Sequence, residues 1–222
     1  MQTIKALLFD LDGTLIDSEF FHFECWNEVL EEFGVKLTYA DWLKNYAGVP
    51  LPVNAKNLIG KYNIVTPIDS IILRRDNLTL ERLRTKDVNL MPFVKEFLEF
   101  VKAKNLKMAL VTSSPRKDVE AIFERNELGR YFDLIITRTD VTKSKPDPES
   151  YNLCRVQLGC LANECLVFED TINGAKAAKA AGLTCYAIQS NQDEHDKLKI
   201  ADQLFLDLNA AKEYLVNQGI IK

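Results

Sequence analysis

Histidine is nearly missing from this chain: His22 and His195 are the only two in 222 residues. No HExxH zinc helix, Walker A loop or GxSxG nucleophile elbow occurs, so the corresponding hydrolase and nucleotide-binding chemistries find no support. Positive charge is not in excess either, with 28 Lys and Arg against 32 Asp and Glu, a net charge of −4. That balance leaves no electrostatic footprint for nucleic acid or an anionic membrane surface. No apolar run approaches the length of a membrane span. An apolar strand begins so early that no signal peptide is expected. The five cysteines, Cys25, Cys154, Cys160, Cys165 and Cys185, are odd in number and form no CxxC. They suit reduced, buried thiols, and the expected location is cytoplasmic. Internal repeats and low-complexity tracts are absent, and a monomer is expected.

What is present is an ordinary globular composition, 47% hydrophobic and 27% charged, long enough for one ample core and a smaller appended unit. Its most informative stretch is Ile4-Lys5-Ala6-Leu7-Leu8-Phe9-Asp10-Leu11-Asp12-Gly13-Thr14, an apolar strand that ends in two aspartates. Alternation places both carboxylates on one side of the extended backbone. Two like charges that close need a cation or a shared proton. A divalent metal relieves the conflict and leaves the acids free for different roles. A bare DxD is also compatible with an ordinary solvated turn. A calcium loop counted from Asp10 fails, because Leu15 stands where its sixth-position glycine is required.

Residues 17–88 read as helices throughout. Asp17 to Phe33 carries Trp26, Val29, Leu30 and Phe33 on one face, with Gly34 as a stop. Thr38 to Ala47 begins at a threonine cap, a third helix runs from about Val53 to Lys61, and a fourth starts with Thr66 as cap and Pro67 in its first turn. After Met91 the pattern changes. A helix from Pro92 to Lys104 precedes strands at 106–111, 133–137, 165–168 and 184–188, and a shorter strand near Gln203 to Leu206 ends the series. The intervening helices open at Ser114-Pro115, at Asp147-Pro148 and at Ala175. Strands alternating with helices at this spacing predict an α/β fold, a Rossmann-like doubly wound parallel sheet. The expected division is an α/β core of residues 1–16 and 89–222 with an inserted all-helical cap of residues 17–88.

Three further strand ends supply polar groups. Thr112-Ser113-Ser114 offers hydroxyls and backbone N–H groups at a helix start, which suits an anion. Lys145 sits beside Pro146, and Glu169-Asp170 forms a second acidic pair. Each alone is weak: a cap, a surface loop and a solvated turn explain them. At successive strand ends of one parallel sheet, however, they converge on a single crevice. Carboxylates for a hard cation, hydroxyls for an oxyanion and a lysine for its charge make a phosphoryl-transfer kit, with Mg²⁺ as the expected ion.

Phe9-Asp10-Leu11-Asp12-Gly13-Thr14-Leu15, then Thr112, Lys145 and Glu169-Asp170, resemble in order and spacing the four motifs of the haloacid dehalogenase superfamily. The resemblance spans essentially the whole chain, and the helical insert resembles the small cap of the branch that contains β-phosphoglucomutase and sugar-phosphate phosphatases. It implies that Asp10 is the nucleophile that forms an aspartyl-phosphate and Asp12 the general acid and base. Thr112, with Ser113 beside it, and Lys145 would hold the phosphoryl group. Asp170, with Asp10 and the Asp12 backbone carbonyl, would hold Mg²⁺, with Glu169 nearby. An acid at Asp12 favours phosphoryl transfer over dehalogenation, because a halide leaves without a proton and an alkoxide does not.

A phosphoacceptor receiver domain uses a similar kit, but its acidic pair comes early and it carries no lid. A silent, binding-only member is disfavoured because every catalytic position is filled. Within the enzyme reading, the insert separates phosphatase from phosphomutase. His22 matches a histidine of the mutases, although it also lies at helical spacing from Trp26 and Val29. Arg75, with Arg74, lies where the branch places a basic residue for a distal phosphate, and a solvated helix face explains it equally. Leu51 stands where the mutases carry an arginine, which favours a phosphatase of a small phosphorylated metabolite, a sugar phosphate first among them.

Overall fold

The computed structural model describes residues 4–221, so residues 1–3 and 222 of the expected core lie outside the described residues. In chain order the elements begin with β1 (Ala6–Phe9) and the two-residue β2 (Ile16–Asp17). Four helices follow: α1 (Glu19–Glu31), α2 (Tyr39–Asn45), α3 (Leu51–Tyr62) and α4 (Ile68–Thr85). After β3 (Asn89–Leu90) come α5 (Val94–Ala103), β4 (Lys107–Val111), α6 (Arg116–Asn126), β5 (Leu134–Ile136), α7 (Glu149–Leu158) and β6 (Cys165–Glu169). The chain ends with α8 (Ile172–Ala180), β7 (Thr184–Ile188), α9 (Gln192–His195), β8 (Gln203–Phe205) and α10 (Leu208–Asn217). Among the described residues no helix is long and apolar enough to cross a membrane.

Two compact units result, one made of the residues up to Ile16 and from Asn89 onward, the other of Asp17–Val88. The first is built on a six-stranded sheet in the order β5-β4-β1-β6-β7-β8, with every pairing parallel. This is a doubly wound Rossmann-like order. The winding reverses between β1 and β6, and in such sheets ligands sit at the carboxyl ends of the strands beside that reversal. The strands alternate between faces. Leu8 and Val167 join Tyr151, Cys154 and Leu158 of α7 and Ala175 and Ala178 of α8 in one cluster. Phe9 and Phe168 stack on each other at 5.2 Å and meet Phe97 of α5 on the other face. Tyr214 of α10 packs on that second face against Tyr186 and Phe205. A separate ribbon pairs β2 with β3.

The helical unit has its own core around Trp26, Leu30, Trp42, Leu58 and Ile71. Thr38 caps α2 as expected, its side chain accepting from the Asp41 N–H. Several boundaries differ from the sequence reading. The first helix starts at Glu19, two residues past Asp17, and α3 starts at Leu51 rather than Val53. The cap of α4 is Pro67, not Thr66, and Pro67 makes no side-chain bond. The helix expected from Pro92 begins at Val94, because Phe93 adopts a left-handed conformation with φ 64°. Helix α8 starts at Ile172, three residues early, since the Thr171 side chain accepts from the Gly174 N–H. Helix α10, not anticipated, is capped by Asp207 and buries Leu208, Ala211 and Leu215.

Within the helical unit, Asn27 ties α1 to the segment before α2. Its Nδ2 donates to the Leu37 carbonyl at 3.2 Å, and its Oδ1 accepts from the Leu37 N–H at 2.8 Å. Asn27→Ala is expected to destabilise the unit by about 1–3 kcal/mol, because it orphans both backbone groups. Hydrogen exchange should show the Leu37 amide losing protection ahead of amides in the sheet; unchanged protection there would refute the assignment.

Candidate active site

The site follows from strand parity. Asp10 extends β1 on the face of Ala6 and Leu8, and Glu169 ends β6 on the face of Val167. Phe9 is paired with Phe168, and the Asp10 N–H donates to the Phe168 carbonyl at 3.0 Å. The two carboxylates therefore stand side by side at the reversal point of the sheet.

Lys145 is brought between them. Its Nζ donates to Asp10 Oδ1 at 2.5 Å, Glu169 Oε1 at 2.6 Å and the Val111 carbonyl at 2.7 Å. Tyr151, fully buried on α7, donates its hydroxyl to the same Glu169 Oε1 at 2.5 Å. Asp170 completes the group: oxygens of Asp10, Glu169 and Asp170 all lie within 4.8 Å of one another. Glu169 Oε2 and Asp170 Oδ1 are buried with no hydrogen-bond partner.

Burial raises the Asp10 carboxyl to about 8, with Lys145 pulling it down and Glu169 and Asp12 pushing it up. Burial also lifts Asp170 well above the usual carboxylate range, reinforced by Asp10 and Glu169. Three crowded carboxylates around one ammonium are short of positive charge. Their donor set is entirely oxygen, and two of its oxygens are orphaned. These features fit a hard divalent cation such as Mg²⁺.

Two glycines make room for the cluster. Gly13 has φ 78°, and a Cβ there would collide with the Asp170 carboxylate. At Gly174 a Cβ would fall inside the Glu169 carboxylate.

Asp12 sits in a different setting. Ser114 Oγ donates to its Oδ2 at 2.7 Å, and the Ser114 N–H in turn donates to Thr112 Oγ1 at 3.0 Å. Thr112 is buried and its N–H donates to the Ile136 carbonyl, whereas Ser113 is exposed. The first unit thus brings together Asp10, Lys145, Glu169 and Asp170, and links Asp12 to Thr112 through Ser114. The Asp12 carboxylate is not part of the group formed by Asp10, Glu169 and Asp170.

In the helical unit, His22 and Arg75 meet, with His22 Nδ1 2.7 Å from Arg75 Nη2. Arg75 is buried rather than on a solvated face, since it follows Ile71 and precedes Thr79 and Leu83 at four-residue spacing on the inner side of α4. Arg74 is exposed, pairs with Glu32 and lies over the Phe33 ring. Leu51 packs on the unit's own apolar core.

Sequence reasoning passed over Tyr151, and it treated Ser114 only as a hydroxyl at a helix entrance. Tyr151 was detectable: it shares a helical face with Cys154 and Leu158, and a core tyrosine needs a partner for its hydroxyl.

A model of the family described as haloacid dehalogenase-like hydrolase matches residues 7–188. The chain is 34% identical over 180 residues to the phosphorylated carbohydrates phosphatase of Thermotoga maritima, covering 81% of this chain and 82% of that protein. It is 31% identical over 215 residues to the validoxylamine A 7'-phosphate phosphatase of Streptomyces hygroscopicus subsp. limoneus, covering 94% and 96%. The crystal structure of CbbY from Rhodobacter sphaeroides in complex with phosphate shares the fold, with a TM-score of 0.81 at 23% identity over 93% of this chain and 95% of that one. With the residues of the four motifs brought together and a family model running from β1 through β7, the chain belongs to the haloacid dehalogenase-like hydrolase family.

Proposed function

We propose that the protein is a Mg²⁺-dependent phosphatase that hydrolyses a small phosphorylated metabolite, a sugar phosphate first among candidates, through an aspartyl-phosphate on Asp10. The observation that carries this reading is the contrast between two aspartates two residues apart. Asp10 is buried, bound to Lys145 and inside the acidic group, whereas Asp12 is held outside that group by Ser114. Two acids in different surroundings can take different protonation roles.

In the proposed reaction an Asp10 carboxylate oxygen attacks phosphorus, and the bond from phosphorus to the ester oxygen breaks. Asp12 gives its proton to the departing alkoxide, then takes one from water as the water oxygen attacks the aspartyl-phosphate and releases Asp10. Lys145 and the Thr112 region, with Ser113 at the helix entrance, hold the phosphoryl oxygens. Mg²⁺, held by Asp10 and Asp170 with Glu169 beside them, would supply charge neutralisation for the phosphoryl oxygens.

Hydrolysis is favoured over phosphomutase chemistry by Leu51. It packs against the apolar core of the helical unit, and a leucine cannot grip the second phosphate of a bisphosphate. The two phosphatase relatives act, by their names, on phosphorylated carbohydrates and on a 7'-phosphate, which supports an alcohol phosphate as substrate. In this reading the helical unit selects the alcohol, with His22, Leu51, Arg74 and Arg75 as its candidate residues.

Asp10→Asn keeps the shape of the side chain and removes the nucleophile. Turnover of an aryl phosphate should fall by about a thousandfold or more with the melting curve near wild type. A folded Asp10→Asn protein that retained substantial turnover would rule out the aspartyl-phosphate.

Asp12→Ala should slow sugar-phosphate hydrolysis by about 10²–10⁴-fold. The burst of aryl alcohol from an activated ester should be far less affected, because that leaving group needs little proton donation. Equal losses on both substrates would leave Asp12 a structural role only.

Mg²⁺ alone should raise the melting temperature of the wild type, and a chelator should reverse the shift and abolish activity. Asp170→Ala should lose most of that shift. Full activity in chelator would remove the metal from the proposal.

A further inference from the structure

We propose that Tyr151 is a positioning residue that fixes the orientation of the Glu169 carboxylate, committing Oε1 to Lys145 and leaving Oε2 for the bound cation. The proposal rests on the magnesium assignment above but not on the identity of the substrate.

Glu169 is 1% exposed, so its carboxylate must find its partners inside the protein. Two donors converge on a single oxygen, the Tyr151 hydroxyl at 2.5 Å and the Lys145 ammonium at 2.6 Å, while Oε2 has none. With both donors on Oε1, Oε2 is left as a buried acceptor without one. Two donors from different directions fix the carboxylate plane. The bare Cα of Gly174 gives that plane the space it occupies, which any side chain would take. The Tyr151 ring also lies beneath the ammonium, with Lys145 Nζ 5.1 Å from its centroid. The same residue therefore touches both members of the Glu169–Lys145 pair, one through its hydroxyl and the other through its ring.

Without the hydroxyl, Lys145 alone holds Oε1, and the Glu169 carboxylate is free to turn about that one contact. That turn shifts the carboxylate within the group that Glu169 forms with Asp10 and Asp170. Tyr151→Phe isolates the effect, because it keeps the ring, its volume and its contact with the ammonium.

The test compares Mg²⁺ binding, with the metal alone titrated by calorimetry, in four full-length proteins: wild type, Tyr151→Phe, Glu169→Gln and the double variant. Circular dichroism and melting curves verify that each is folded. Tyr151→Phe is expected to weaken Mg²⁺ binding at least fivefold in the wild-type background and to have no further effect beside Glu169→Gln. A loss smaller than fivefold, or the same loss in both backgrounds, would overturn the role, as would failure of the wild type to bind Mg²⁺. If no phosphate ester is hydrolysed by the wild type, the phosphatase reading fails on its own, and the four titrations still decide what Tyr151 does.

Discussion

An ammonium buried with all three of its protons committed is the constraint around which this structure is arranged. Lys145 Nζ reaches the Val111 carbonyl on β4, Asp10 at the end of β1 and Glu169 on β6. These three strands are neighbours in the sheet, so one side chain fastens their carboxyl ends together. Its side chain is only 5% exposed, and a lone charge at that depth is untenable. Removing the lysine itself, which would leave the crowded carboxylates without their one cation, typically costs about 3–5 kcal/mol. The strand parity of β1 and β6, the glycines at 13 and 174 and the hydroxyl of Tyr151 all serve the same local arrangement.

The charge balance of that arrangement bears on the proposed reaction. One ammonium faces three carboxylates, which when ionised leaves two negative charges over, the charge of a single divalent cation. Without a cation the surplus appears as the raised affinity of Asp10 and Asp170 for protons. Asp12, tied to Ser114, stands apart from this crowd. The proposed hydrolysis asks for that separation, since its nucleophile must stay ionised while its acid carries a proton.

Much of this was legible in the sequence, for physical reasons that also explain what was missed. Strands in a parallel sheet are apolar on both faces, so a carboxylate at a strand's end stands out, and Asp10, Asp12 and Glu169-Asp170 were found that way. Alternation of strands and helices predicted the parallel sheet, whereas its order, with the reversal between β1 and β6, is seen only in the fold. Residues that act through burial were harder to see. Arg75 resembled a surface cation because charge usually means solvent, yet its four-residue spacing with Ile71 and Thr79 placed it inside. Tyr151 resembled core filling, and only the position of Glu169 reveals what its hydroxyl does. Helix ends shifted where a cap or a left-handed residue overruled propensity, as at Thr171 and Phe93.

The central position of β1 has a consequence for the order in which the chain acquires structure. This strand leaves the ribosome well before its neighbours, which arrive only with residues 107–110 and 165–168. Until then its apolar residues Ala6 to Phe9 have no sheet to enter. The insert, residues 17–88, is by contrast a continuous segment with its own core, so its contacts can form while the rest is still being synthesised. The segment that bears Asp10 thus emerges long before the strands that secure it, and during that interval its apolar residues are open to aggregation.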